Sequence, residues 1–311
     1  MSIATEKIIN KHAYRKLKSY VIKPYQLNEQ GEKFVISSNR NLPEEYFEHL
    51  HFPVSNFWGR YFEEKINILH PRKKEVMIDV CCGTGTLCLN VIPKLGFSRC
   101  IAIDNSKVAI DVLKKRIKSN QPIDARNEDI TNTSFDKDSI DAIYGNSFLH
   151  HIPNNHAFIS ETFRILRPGG VVVFTGEPTL AAGSLETVIM MSLIKGLDFL
   201  GLRRMKPYDD QAPVTDIWLY EEESLRQMLL DAGFNDIKIQ GYGVFVPLLN
   251  WPSTIVFRKI FGKSTQPEWY WRLFGWLDRN LFFWLSANKH SHFVIAARKP
   301  DLAANEYIGN L

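Results

Sequence analysis

Short apolar runs alternate with amphipathic stretches along most of this chain. The run "VMIDV" (76–80) stops at a glycine-rich turn and reads as a buried strand. "TLCLNVIPKLGF" (86–97) then sets Leu87, Val91 and Leu95 at helical spacing. "RCIAIDN" (99–105) is a second buried strand. "SKVAIDVLKKRIKSN" (106–120) reads as a helix, with Ser106 as its N-cap and Ile110, Leu113 and Ile117 on one face. "SIDAIYGN" (139–146) is a strand. "HAFISETFRILRPGG" (156–170) is an amphipathic helix stopped by Pro168, Gly169 and Gly170. "VVVFTGEP" (171–178) is a strand, "EEESLRQMLLDAGF" (221–234) a helix closed by Gly233, "NDIKIQGY" (235–242) a strand and "SHFVIAARK" (291–299) the last strand.

Strands that alternate with helices need crossover connections, and these build a largely parallel sheet. Ligands of such sheets sit beyond the carboxyl ends of the strands. The functional loops are therefore expected after Val80, Ile103, Tyr144 and Thr175. Three segments stand outside the alternation: 1–70, 179–218 and 243–290.

Composition narrows the picture without redirecting it. The chain has 311 residues, 45% of them hydrophobic and 23% charged, enough for one large core with appendages. The net charge is +4. Basic residues fall in short scattered clusters, as solvated helix faces carry them, so no nucleic-acid partner is expected. The N-terminus is charged throughout and lacks the apolar region of a signal peptide. No window is long and apolar enough to span a bilayer. All four cysteines lie between residues 81 and 100, which is no secreted disulfide frame. A cytoplasmic location is expected, with contact at a membrane surface left open.

The candidate chemistry lies in "MIDVCCGTGTL" (77–87). A glycine turn between a buried strand and a helix brings backbone N–H groups close to a ligand. A dinucleotide loop asks for G-x-G-x-x-G, and Cys88 stands where the third glycine belongs. The alternative, D-x-G-x-G-x-G, is met by Asp79, Gly83 and Gly85, with Cys81 replacing one glycine. Asp104 ends the second strand, where a carboxylate can accept two bonds from a ribose diol. Asp129 follows the expected third strand, within reach of an exocyclic adenine amine. Asn146 ends the fourth run beside the same cleft.

Four pieces, "VMIDVCCGTGTL", "CIAIDNS", "NEDITNTSFDKDSIDAIYGNSFLHHIPN" and "ETFRILRPGGVVVFTGEP", stand in order over 76–178. This segment resembles the core of class I S-adenosylmethionine-dependent methyltransferases. It is most similar to the small-molecule group that includes quinone-biosynthesis C-methyltransferases. The resemblance implies an α/β fold: a Rossmann-like, seven-stranded, mostly parallel sheet with helices on both faces. An N-terminal helical lid and apolar helical insertions would add to it. It implies a lid and substrate segment at 1–70 and a core of 71–242 and 291–300 interrupted by an insertion at 179–218. The aromatic-rich stretch 243–290 would be a second, helical insertion.

The implied cofactor is S-adenosylmethionine. Asp79 and the Gly83–Gly85 backbone would hold its methionine moiety, with Cys81 and Thr84 in the same loop. Asp104 and Asn105 would hold the ribose, Asp129 and Ile130 the adenine, and Asn146 would line the methionine side. The family usually has glycine where this chain has Cys81. The thiol spacing matches no zinc motif, and no metal is expected. Methyl transfer needs no enzyme nucleophile, so Cys81, Cys82 and Cys88 read as small packed thiols.

An acceptor that must lose a proton needs a base. His150 and His151 lie just past the fourth strand, and Glu177 ends the fifth at the cleft rim. These three are the candidate catalytic residues. Each has a competing structural reading, as loop-shaping histidines and as a carboxylate that caps a neighbouring helix. Tyr14, His51, Trp58 and Tyr61 belong to the N-terminal segment, and the last two are candidates for a wall of the methyl site.

"WYWRLFGWLDRNLFFWL" (269–285) carries apolar residues on almost every helical face and must bury them against something. A private cap, a homodimer interface and a membrane surface all remain open. In the last case Arg258, Lys259, Lys263 and Arg272 would lie near headgroups. A cap would favour a small apolar or aromatic acceptor, whose reacting atom (O, N or C) the residues leave undecided. The alternatives are methylation of protein or RNA, and a non-catalytic cofactor-binding subunit that activates a partner.

Overall fold

A computed structural model describes residues 62–90, 92–152, 154–180, 219–244, 267–282 and 284–301, together with the single residues 192, 246 and 249. Seven strands form one sheet: β1 (Val76–Val80), β2 (Arg99–Asp104), β3 (Ile123–Asn127), β4 (Ile140–Asn146), β5 (Leu166–Pro178), β6 (Asn235–Tyr242) and β7 (His292–Arg298). Their spatial order is β3-β2-β1-β4-β5-β7-β6. β1 to β5 run parallel, and β7 enters antiparallel between β5 and β6. The order reverses between β1 and β4, so a crevice opens at the carboxyl ends of those two strands.

Five helices have both ends among the described residues: α1 (Thr86–Asn90), α2 (Lys107–Arg116), α3 (Asn155–Ile165), α4 (Glu222–Asp231) and α5 (Glu268–Leu281). Strand alternation sorts the core into two layers. Ile78, Ile101, Ile143, Phe174 and Ile295 face Phe158 and Ile159 of α3 and Leu225 and Leu229 of α4. Met77, Ala102, Tyr144, Val173 and Val294 face Leu87, Ile110, Leu113, Tyr270 and Trp271 on the other side. The sheet is thus covered on both faces, which is why its central strands are apolar without interruption.

Two boundaries differ from the expectation. The helix expected over 86–97 ends at Asn90 and resumes as a 3-10 turn, Ile92–Leu95. Pro93 supplies no N–H for an α-helical ladder. The helix expected to be stopped by Pro168, Gly169 and Gly170 ends already at Ile165, and Leu166 pairs with Ile140. Pro168 disfavours helical backbone at the residue before it. Arg167 also has a partner there, 2.7 Å from the buried Asp141, whose other oxygen accepts from Glu75 N and Val76 N at 2.8 Å. This ion pair ties the start of β5 to the starts of β4 and β1. Ser106 caps α2 as expected, its hydroxyl accepting from Ala109 N.

Tyr14, His51, Trp58 and Tyr61, nearly all of insertion 179–218, and Arg258, Lys259 and Lys263 lie outside the described residues.

Candidate functional site

The turn after β1 is built on left-handed backbone. Cys81 has φ 48°, Gly83 53° and Gly85 95°. Gly85 is required twice over, since a Cβ there would also lie 2.4 Å from the Leu113 side chain. At Gly83 no atom lies within 4 Å of the place a Cβ would occupy, so the loop presents bare backbone to open space. Cys81 adopts a conformation that glycine takes freely and that costs an L-residue roughly 1 kcal/mol.

Both acids of this region are engaged with the loop. Asp79 is buried, and its Oδ2 accepts from Cys88 N at 3.0 Å in the first turns of α1. Burial pushes its pKa up to about 7, against the lowering effect of the Cys88 bonds. Asp104 is half-buried at the end of β2. One of its oxygens accepts from Gly83 N at 2.9 Å and the other from Ser106 N at 2.8 Å. Each oxygen keeps a further lone pair. Burial raises its pKa also, and the two backbone bonds oppose the rise. Thr84 is buried and Asn105 half-buried in the same two loops. Asp129 is exposed at the end of β3, its Oδ1 held by Thr131 N at 2.8 Å and Thr131 Oγ1 at 2.7 Å, with Ile130 buried beside it. The cysteines are free thiols, and burial raises the pKa of all four. A protonated thiol is neither a good nucleophile nor a metal ligand.

The other half of the crevice lies at the ends of β4 and β5. Asn146 Oδ1 and Ser147 Oγ are buried there without a hydrogen-bond partner among the described residues. Ser147 itself has φ 53° and donates its N–H to Thr175 O at 2.7 Å. A buried acceptor in want of a donor stands here next to left-handed backbone.

Glu177 does not stand at the rim, where the sequence places it: it is fully buried. Its Oε1 accepts from Phe148 N and Leu149 N at 3.1 Å, and its Oε2 from His150 N at 3.0 Å. The same Oε2 lies 2.9 Å from His150 Nδ1. A carboxylate that accepts three backbone N–H groups is an acceptor toward the imidazole too, so Nδ1 carries the hydrogen and Nε2 is the basic nitrogen. Glu177 therefore shapes the 148–150 turn and orients His150. His151 packs against it, ring centroids 4.0 Å apart and planes inclined at 50°, and is the more exposed of the two.

Residues absent from the sequence expectation complete this cluster. His292, at the start of β7, is buried, and burial with the neighbouring His150 drives its pKa well below the usual histidine value. Tyr242, at the end of β6, stands 2.8 Å from Thr175 Oγ1. Asn155 Nδ2 donates to Tyr220 Oη at 3.0 Å. Beyond Tyr242 a cavity of about 340 Å³ opens among Lys65, Gln240, Asp278, Arg279, Leu285 and His290. Its rim is mixed in polarity, where the sequence suggests an apolar pocket.

Comparison with known proteins agrees with this arrangement. Residues 78–174 match the family described as "Methyltransferase domain". The chain is 23% identical to a demethylmenaquinone methyltransferase of Staphylococcus epidermidis over 194 residues, covering 61% of this chain and 79% of that one. It is 26% identical to the enzyme of the same name from Geobacillus sp. over 195 residues, 59% and 80% of the two chains. Among solved structures, Haemonchus contortus phosphoethanolamine N-methyltransferase 2 in complex with S-adenosyl-L-methionine shares the fold. Its TM-score is 0.54 at 18% identity, over 93% of this chain and 61% of that one.

Proposed function

We propose that this chain, a class I S-adenosylmethionine-dependent methyltransferase resembling quinone-biosynthesis enzymes, methylates a small aromatic acceptor that loses a proton on transfer. Its cofactor is S-adenosylmethionine, which supplies an electrophilic methyl group on a sulfonium sulfur. The residues present fit that molecule. Open backbone at Gly83 and the unpartnered Asn146 Oδ1 offer a donor and an acceptor to its amino-acid end. The remaining lone pairs of Asp104 suit a ribose diol, with Asn105 beside it. Asp129 and Ile130 suit the polar edge and the face of adenine. Asp79 supports the loop from below through Cys88, and Cys81 and Thr84 shape it.

The observation that carries the acceptor reading is the His150–Glu177 pair. Glu177 holds the hydrogen on His150 Nδ1, which leaves Nε2 to take a proton from an acceptor hydroxyl or acidic carbon. His151 stands next to it as the outer imidazole. The relatives named for demethylmenaquinone favour a fused aromatic ring of the naphthoquinol type.

The test uses methyl-labelled S-adenosylmethionine with the purified full chain and either a reduced demethylated naphthoquinone or the lipid, metabolite, protein and RNA fractions of a cell extract. Label in the organic phase, absent with Asp104→Ala, supports the reading. Label in protein or RNA overturns it.

A further inference from the structure

Asp79 ends up deep inside the protein at the foot of the cofactor loop, 1% exposed. A carboxylate is rarely buried so fully unless a cation pairs with it. Here the bonds come from the Cys88 N–H at 3.0 Å and the Cys88 thiol. Asp104 adds a second carboxylate from β2, half-buried and held by Gly83 N and Ser106 N. Among the described residues neither acid is ion-paired with a lysine, arginine or histidine. Arg116 reaches the loop from α2, but at the backbone, donating to Thr84 O at 3.1 Å.

The other ionisable groups around Asp79 are held neutral. Cys88 of α1, Cys100 of β2 and Cys81 and Cys82 of the loop are thiols that burial keeps protonated. Tyr144 of β4 stands beside Asp79 in the sheet register, and burial pushes its phenol up as well. The loop thus has negative charge beneath it and no counter-ion of its own. In the free protein a proton takes that place, because burial raises the Asp79 carboxyl to about 7. Asp104, less buried and bonded through both oxygens, is the easier of the two to ionise.

We infer that Asp79 gives up its proton when S-adenosylmethionine binds and becomes the counter-ion of the sulfonium, so that the site prefers the charged cofactor to the product that has lost the charge. The amino-acid end of the cofactor is a zwitterion, and S-adenosylhomocysteine has the same end. The two molecules differ in net charge at sulfur alone. Water is excluded around Asp79, so a charge placed on the loop acts on it with little screening. The carboxyl O–H bond breaks and the proton passes to the buffer. Once the methyl group has left, the sulfur is neutral and Asp79 takes a proton back. This inference is independent of the acceptor: it holds or fails on cofactor binding alone.

The experiment is titration calorimetry of the purified full chain with S-adenosylmethionine and with S-adenosylhomocysteine, in pairs of buffers that differ in ionisation enthalpy. About half a proton should leave per S-adenosylmethionine bound at pH 7. Affinity should be about tenfold higher at pH 8 than at pH 6. S-adenosylhomocysteine should release little proton and bind with nearly level affinity over that range. The affinity deficit of Asp79→Asn should be about tenfold wider at pH 8 than at pH 6, and the variant should release no such proton. A deficit of the same size at every pH would make Asp79 a mere support of the loop and overturn the inference. Equal proton release with both ligands overturns it too, as does no release with S-adenosylmethionine. The comparison of the two ligands on the wild type decides even where Asp79→Asn fails to fold.

Discussion

The two halves of the crevice are held together by different means. On the β1–β2 side, Asp79 and Asp104 accept from nearby loop and helix groups: Cys88, through both its N–H and its thiol, Gly83 N and Ser106 N. On the β4–β7 side, side chains distant in the chain meet each other: His150 with Glu177, Thr175 with Tyr242, and Asn155 with Tyr220. The first half is a shaped backbone that any chain with the right glycines and acids can make. The second is a packed polar network, in which each group depends on a partner from another element. Under the proposed function, this difference would separate binding, which needs a fixed cradle, from proton removal, which needs one imidazole in one tautomer.

The sharpest way to break the comparison is Glu177→Ala. Three buried N–H groups and an imidazole would lose their acceptor, and unfolding free energy should fall by about 4 kcal/mol in denaturant titration. A loss under about 1 kcal/mol would mean the network is not cooperative. Next comes the pH dependence of the β1 side. Asp79 titrates near 7 in the folded chain against an ordinary value of 3.8. A raised folded pKa makes its contribution full below about 4 and lost as pH rises through about 7. The swing is on the order of 4 kcal/mol. Asp79→Asn should remove most of that swing, so the variant gains on the wild type at pH 8 relative to pH 5. Parallel pH profiles for the two proteins would refute the assignment.

On the same side, Asp104→Ala should weaken S-adenosylmethionine binding about 100-fold in calorimetry, since the proposed bonds to a ribose diol and the observed tether on Gly83 would go together. The smallest effect is expected from Cys81→Gly. Relief of the left-handed backbone at φ 48° should offset the entropy that glycine adds to the unfolded chain, for a net gain of up to about 1 kcal/mol. Destabilisation beyond about 1 kcal/mol would show that the thiol's packing outweighs the strain.

The same contrast explains what was legible in the sequence. The sheet and the β1–β2 cradle depend on local signals: apolar runs, a glycine turn, an N-cap serine and acids at strand ends. Each could be read within a few residues. Cys81 is instructive, because it sits where the motif calls for glycine and the backbone still takes the glycine conformation. Glu177 and His150 were legible as candidates, since both follow adjacent strands. Their bond was not, because it depends on which way a carboxylate turns at the end of β5. His292 and Tyr242 carried no signal beyond strand periodicity. They enter the cluster because β7 inserts antiparallel between β5 and β6 and brings its first residue to the carboxyl ends of the others. The early start of β5 was hidden in "LRPGG", where the stop signal for the helix is also the first stretch of the strand. On α5, periodicity showed an apolar helix but not which side meets the sheet.

The measurement that tests the division most directly uses His150→Gln, on one preparation, for two readouts: S-adenosylmethionine affinity by calorimetry and methyl transfer to the acceptor fraction that takes up label. The account predicts affinity within about twofold of wild type and transfer reduced about 100-fold or more. Transfer at the wild-type rate, or affinity lost in step with transfer, would contradict it.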